Sequence, residues 1–417
     1  MRILLLSQWF DPEPVTFKGL SFARELRRRG HDVEVLTGFP NYPGGRIYPG
    51  YRVRPWSRET MDGIRVNRVA LYPSHDGSGL RRALNYASFA STAATLGPFL
   101  TRRPDAVYVY NLVTLGFASM VLRALRGCPY VLDVQDLWPD SVAGSGMMKG
   151  RVGLEALRRW CMAVYKSAAH VTALSPGMRA ELVRRGVPAD RVSVIYNWCD
   201  EASTGTSRYN AALAREMGLE GCFVVLFAGT MGVMQDLRAV LGAAAKVGAL
   251  LPDVRFVFVG GGVLREALEQ EAGARGLGNV AFLPRRPAAE MPALFGLANV
   301  LLVHLQDTPL FRITVPSKTQ AYLAAGKPIL MAVEGDAADL VMRAGAGVAC
   351  RPGDAGALAD AVTRMYRMPP AEREAMGRAG ARFYREELSM ERGVTKFEEV
   401  FRRVATFEGG AVPKDAA

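Results

Sequence analysis

Apolar residues along the chain gather in short unbroken runs, separated by longer stretches where they recur every three or four positions. The first half has such runs at 2–7 (RILLLS), 31–37 (HDVEVLT), 64–69, 106–110 (AVYVY), 130–134 (YVLDV), 171–173 and 192–196. Runs this short and this apolar predict strands buried on both faces, as in a parallel sheet. Between them, 21–29 (ending at Gly30), 114–125, 154–167 and 177–185 carry the helical period, while 38–60 reads as one long loop. A small, polar stretch within 197–222 interrupts the pattern, which then restarts. Strands are predicted at 223–228, 255–259, 280–282, 300–304, 328–332 and 347–349, with helices at 236–250 and 263–274 and a charged helical tail from about 369 to 407. Such βαβ alternation predicts two α/β, doubly wound parallel-sheet domains, 1–200 and 201–384. The closing helix, about 385–417, is expected to pack back on the first. Ligands of open α/β sheets bind beyond the carboxyl ends of the strands, so a central cleft between the domains is the expected site.

Composition agrees with two globular domains. The chain has 417 residues, 49% hydrophobic and 22% charged, too long for one ordinary core. Its 5 cysteines and 4 histidines are scattered without metal-ligand or redox spacing, so no metal site and a reducing, cytoplasmic compartment are expected. The apolar run at the start is too short for a signal peptide, and no run is long enough to span a bilayer. Charge is lopsided: residues 1–200 hold 27 of the 52 basic but only 16 of the 40 acidic residues. A basic first half can meet nucleic acid, anionic lipid or a phosphorylated substrate, or can be a solvated arginine-rich face. The apolar helix 83–100, expected to break near Gly97-Pro98, lies between Arg81-Arg82 and Arg102-Arg103. It is either a core helix or one lying at a membrane surface.

The most telling chemistry lies in 314–330, TVPSKTQAYLAAGKPIL. Pro316 suits the first turn of a helix. Thr314, Ser317 and the free N–H groups of that turn make an anion site, to which Lys318 adds a full charge. The alternative is an ordinary capped helix. Other strand ends supply further candidates. In the first βα turn, Lys18 either touches phosphate or faces solvent beside Gly19. Asn41 and Tyr42 sit in a turn-rich loop, GFPNYPGG. Asn111 follows AVYVY, and Asp136 and Asp140 follow YVLDV. Paired carboxylates can bind sugar hydroxyls or take a proton, and Asp140 can instead cap a helix. In the second half Gly229, Thr230, Gly232, Gly260 and Gly261 let backbone approach a ligand, and Arg285 either reaches a phosphate or is solvated.

These segments, in this order, resemble retaining GT-B glycosyltransferases of family GT4. PSKTQAYLAAGKPI resembles their donor-sugar motif, and FAGTMGVMQDL, VGGG and AFLPRR their donor-domain turns. LTGFPNYP with YPGY, and VQDLWPDS, resemble the subgroup similar to WbuB, named as a fucosaminyl transferase of surface-polysaccharide synthesis. The resemblance implies a UDP-sugar donor, with an N-acetylhexosamine or deoxy derivative moved to an acceptor hydroxyl. It implies a lipid-linked saccharide as acceptor, as in lipopolysaccharide assembly at the inner face of the membrane, and no metal. By it, Asp136 and Lys318 are catalytic, Lys18, Gly19, Gly229, Thr230, Gly232, Gly260, Gly261, Arg285, residues 314–317 and Gln320 hold the donor, and Asn41, Tyr42, Asn111 and Asp140 hold the acceptor. The pattern also departs from the family. Ile313 and Ala321 stand where its two glutamates fall, leaving ribose to Gln320 or Glu334. Val233 and Met234 replace a usual cation, Gln135 replaces an arginine, and a customary histidine is missing. A UDP-GlcNAc epimerase of the same fold, transfer to a soluble natural product, and a non-catalytic nucleotide-sugar-binding protein are the alternatives.

Overall fold

The computed structural model describes the chain except residues 15–17, 76–77, 145–149, 202, 205–206 and 408–417. It divides into two compact units, Met1–Tyr196 with Val394–Ala417, and Asn197–Gly393. The first unit therefore ends at 196 rather than 200, and takes the chain back at 394 rather than about 385.

The first unit holds β1 (Arg2–Leu6), β2 (Asp32–Gly38), β3 (Trp56–Met61), β4 (Ile64–Val69), β5 (Ala106–Tyr110), β6 (Tyr130–Val134), β7 (His170–Ala173) and β8 (Val192–Val194) in one sheet of order β3-β4-β2-β1-β5-β6-β7-β8. Strands β5 and β6 are buried at every position, as two covered faces require. Only β3, paired with β4, is antiparallel. It corrects the loop expected over 38–60: Trp56, Arg58 and Thr60 are exposed and alternate with half-buried partners, so an edge strand with a wet face carries no apolar run. A second correction concerns Pro98, which lies inside the unbroken helix Gly79–Leu100. The order of strands reverses between β1 and β5, which places the switch point at the ends of those two strands.

The helix Met390–Phe407 closes the first unit. From Val394 on, Phe397 and Phe401 are fully buried, and Phe397 lies 5.4 Å from the rings of both Phe22 and Tyr108. Glu398 accepts hydrogen bonds from Arg29 at 2.7 Å and pairs with His31 at 2.6 Å.

In the second unit β9 (Phe223–Ala228), β10 (Val254–Val259), β11 (Val280–Leu283), β12 (Val300–His304), β13 (Ile329–Ala332) and β14 (Gly347–Ala349) form an all-parallel sheet of order β11-β10-β9-β12-β13-β14. Its core is built from alternate positions on one face of these strands (Phe227, Phe256, Phe258) and the buried stripe Leu237, Val240, Leu241 and Ala244 of the helix Leu237–Leu250. The switch point here lies between β9 and β12. The region expected as linker contains a short helix, Ala211–Glu216, capped by Asn210.

Candidate functional site

Two turns at the carboxyl edge of the second sheet are pressed together. Gly229 donates to the Val259 carbonyl at 2.9 Å, and Met231 to Gly261 at 2.8 Å. Contact this close demands glycine: Gly260 has φ +142°, and a Cβ there would fall 2.1 Å from the Gly229 carbonyl oxygen. Over the pressed turns lies a cavity of about 510 Å³. Its wall includes Thr230, Arg285, Arg286 and, from the helix Ser317–Ala325, Lys318, Ala321 and Tyr322.

Lys318 sits in the first turn of that helix, where unpaired N–H groups and the helix dipole favour an anion. Its Nζ is buried without a hydrogen-bond partner among the described residues and lies 3.7 Å from the centre of the Phe227 ring. Burial pulls the ammonium down from 10.5 to about 7. A buried cation with no acceptor is costly unless a ligand supplies one. Among the sequence candidates, Gly229, Thr230, Gly260, Gly261, Arg285 and Lys318 thus share one cavity wall. Gly232 stands beside it, its N–H given to the Gln235 side chain at 3.1 Å.

The other residues of the 314–320 segment are not among those lining the cavity. Val315 is buried, Thr314 Oγ1 donates to the Leu310 carbonyl at 2.7 Å, Pro316 occupies the cap position, and Ser317 faces solvent. Gln320 is corrected as a ribose group. It is buried, and its amide donates to the carbonyls of Pro316 and Ser317 at 2.8 and 3.0 Å. Glu334, the other candidate, is paired with Arg312 at 3.0 Å.

Lys18 is likewise corrected. Its side chain is fully buried in the first unit, 2.7 Å from Asp133 Oδ2 and 4.8 Å from the Phe397 ring centre. Asp133 also accepts from the hydroxyls of Tyr108 (2.6 Å) and Thr172 (2.7 Å) and from Gln135 (2.8 Å). This is a core network satisfied within the first unit. Gly19 precedes the helix Leu20–Arg28 as its cap. A lone Lys-Gly at a helix start carries no sign of which way the lysine turns.

The first unit presents a second cluster beyond β1, β2, β5 and β6. Asp136 is exposed and hydrogen-bonded to the Asn111 side chain. Surrounding protein raises its pKa by desolvation, against the bond from Asn111; its exposure marks it first of all as accessible. Asn111 adopts φ +64°, and its Oδ1 has no partner among the described residues. Tyr42 packs 4.6 Å from the His75 ring and 5.3 Å from Trp9, whose buried Nε1 is also without a partner. Asn41 is corrected: it is buried, and its Nδ2 donates to the Phe39 carbonyl at 2.9 Å. Buried Glu13 ties down this loop by accepting from Asn41 and Tyr42 N–H groups, both at 2.7 Å. Asp140 opens a short helix, and its carboxylate is held by Arg185 at 2.7 Å. His75 escaped the sequence reading. Burial and then Arg82 lower its pKa, which keeps the ring neutral beside Tyr42; nothing in the local sequence marks it.

Comparison with known proteins agrees with the fold. Residues 20–198 match the glycosyl transferase 4-like domain, and residues 215–383 match glycosyl transferases group 1. An Escherichia coli K12 protein named for colanic acid biosynthesis as a glycosyl transferase, WcaI, is 29% identical over 323 residues, 74% of this chain and 77% of that protein. Among solved structures, Anabaena HepE in complex with UDP superposes with a TM-score of 0.70 at 16% identity, covering 97% of this chain and all of that one. An Escherichia coli trehalose-6-phosphate structure bound with UDP-2-fluoro glucose gives 0.73 at 14% identity, covering 97% and 99% of the two chains. At these identities the structures speak for the fold alone, two Rossmann-like GT-B domains.

Proposed function

This chain is a glycosyltransferase with a 4-like and a group 1 domain, and we propose that it moves a sugar from a UDP-sugar to an acceptor hydroxyl with retention of configuration. The observation that carries the donor half is Lys318, a buried ammonium without a partner at a helix N-terminus inside a glycine-walled cavity. A diphosphate supplies the missing acceptors. In the transfer step the bond between the sugar C1 and the diphosphate oxygen breaks, and its electron pair stays on the phosphate. The acceptor oxygen bonds to C1 from the same face, and its proton passes to the leaving phosphate. Negative charge grows where Lys318 and the helix N–H groups point, which favours the transition state. Because these groups neutralise the charge, the proposal includes no metal. The neighbouring structures named with UDP and a UDP-sugar analogue support this donor.

On the acceptor side Asp136, with Asn111 beside it, would align the hydroxyl. The name of WcaI and the LTGFPNYP and YPGY segments support a WbuB-like role, transfer of an N-acetylhexosamine or deoxy sugar to a lipid-linked saccharide of a surface polysaccharide. Peripheral attachment at the inner membrane face belongs to the same reading. The helix Gly79–Leu100 turns Leu80, Leu84, Ala87, Ser91, Thr95 and Phe99 outward, with exposed Arg81 in its first turn. Among the described residues no helix is long and apolar enough to cross a membrane. Arg102, however, is tied to Asp32 at 2.7 Å, which leaves less of the basic flank for lipid. The test is UDP release from UDP-sugars with and without a lipid-diphosphate saccharide. Acceptor-dependent release supports transfer, a free epimer supports epimerase chemistry, and UDP binding without turnover sinks the catalytic reading. Asp136→Asn should lower acceptor-dependent turnover about 100-fold with donor binding intact.

A further inference from the structure

The cavity is rich in cations and poor in hydrogen-bond acceptors. Lys318, Arg285 and Arg286 line it, and no carboxylate or carboxamide side chain does. Its hydroxyls are those of Thr230 and Tyr322, and the Tyr322 hydroxyl is already engaged with the backbone of Ala228, at 2.8 Å from its N–H and 3.3 Å from its carbonyl. Several wall carbonyls are engaged as well. Val259 accepts from Gly229 at 2.9 Å, Gly261 from Met231 at 2.8 Å, and Gly262 from Arg265 at 3.1 Å, while Gly260 accepts from the Arg265 guanidinium at 2.9 Å.

A diphosphate on Lys318 fixes where the attached pentose goes. Ala321 lies one helical turn beyond Lys318, roughly 5 Å along the axis, about the step from a phosphate to the sugar it esterifies. The wall there is the methyl of Ala321 with Met291 and Phe295. Polar side chains nearby are spent elsewhere, Gln320 on its own helix, Glu334 on Arg312, and Glu290, next to Met291, on Arg286 at 3.4 Å. A site built to hydrogen-bond a hydroxyl rejects an analogue lacking it by orders of magnitude, because its own polar groups are left unpaired. An apolar wall has no such group to leave unpaired.

We infer that the cavity does not read the 2′-hydroxyl of the nucleotide, so that 2′-deoxynucleoside diphosphate sugars serve as donors alongside ribonucleoside ones. This rests on the donor reading above. Charge and shape hold the nucleotide, through Lys318, the two arginines and the glycine turns. Ala321 is the position at which pentose selectivity is lost.

The experiment is calorimetric titration of the full chain with UDP and with 2′-deoxy-UDP, which differ by one oxygen. Dissociation constants within fivefold of each other are expected, and a preference for UDP of fivefold or more overturns the inference. Binding of neither nucleotide to the folded protein overturns the donor reading and this inference with it. Ala321→Glu, shown by circular dichroism and melting to be folded, should restore a preference for UDP of at least fivefold. An unchanged ratio in that variant would move the pentose away from Ala321 and overturn the assignment. If the glutamate variant does not fold, Ala321→Ser is titrated in its place, with a smaller preference for UDP expected and an unchanged ratio counting against the assignment in the same way.

Discussion

Replacing Lys318 by methionine should make the empty protein more stable while removing its hold on the donor. The ammonium is charged up to 10.5 in the unfolded chain and only up to about 7 when folded. The unfolded state therefore binds a proton that the native state releases, and stability rises with pH across that interval. Taken at face value, the displacement bounds the cost of the buried charge near ~5 kcal/mol at pH 6, fading to ~2 kcal/mol at pH 9. The lysine is only partly buried as a whole, and the Phe227 face 3.7 Å away returns some of the loss. The expected gain of Lys318→Met is thus ~1–3 kcal/mol at pH 6 and smaller at pH 9, or roughly 2–4 °C of melting temperature per kcal/mol for a domain of this size. Donor binding takes up the proton again, so UDP affinity of the native protein should fall as pH rises above 7, by up to about tenfold per pH unit. The assay is thermal unfolding of both proteins at pH 6 and 9, with and without saturating UDP. UDP should raise the wild-type melting temperature and leave the variant unmoved. A variant that melts at or below the wild type at pH 6 and still responds to UDP would refute the reasoning.

Lys18 should behave in the opposite way. Lys18→Ala leaves Asp133 buried without its cation, a loss of about 3–5 kcal/mol, visible in urea unfolding of the first unit with UDP affinity in the second unchanged. Gly260→Ala should cost about 3 kcal/mol or more, since its Cβ would meet the Gly229 carbonyl at 2.1 Å with φ at +142°, and UDP binding should disappear before secondary structure does in a melt followed by both. Turnover should survive EDTA; loss that Mg²⁺ or Mn²⁺ restores would contradict charge neutralisation by Lys318.

The alternation of strands and helices was readable because a strand covered on both faces must be apolar at every position, as β5 and β6 are. β3 was not, because a wet edge strand may be polar wherever it faces water. Glycine turns and the lysine of the PSK segment were legible as well, since close backbone approach and a helix start each demand particular residues. Direction was not legible. Lys18 and Lys318 both stand at the start of a helix, yet one turns into a core onto Asp133 and the other into a cavity with no partner. Only the placement of Asp133, 115 residues away in sequence, separates them. Gln320, in the same segment, turns back on its own helix for a reason no spacing rule records.

The first unit ends at Tyr196 but regains the chain at Val394, and this has a consequence during synthesis. Phe22 and Tyr108 emerge before the second unit, and Phe397, the ring that packs on both, emerges after it. At about 5–20 residues per second, the nascent first unit waits on the order of 10–40 s for the helix Met390–Phe407. Until then its apolar rings and the Lys18–Asp133 pair stand open. Products cut short anywhere in the second unit would be left with that gap permanently, and should be the species that chaperones hold and proteases clear.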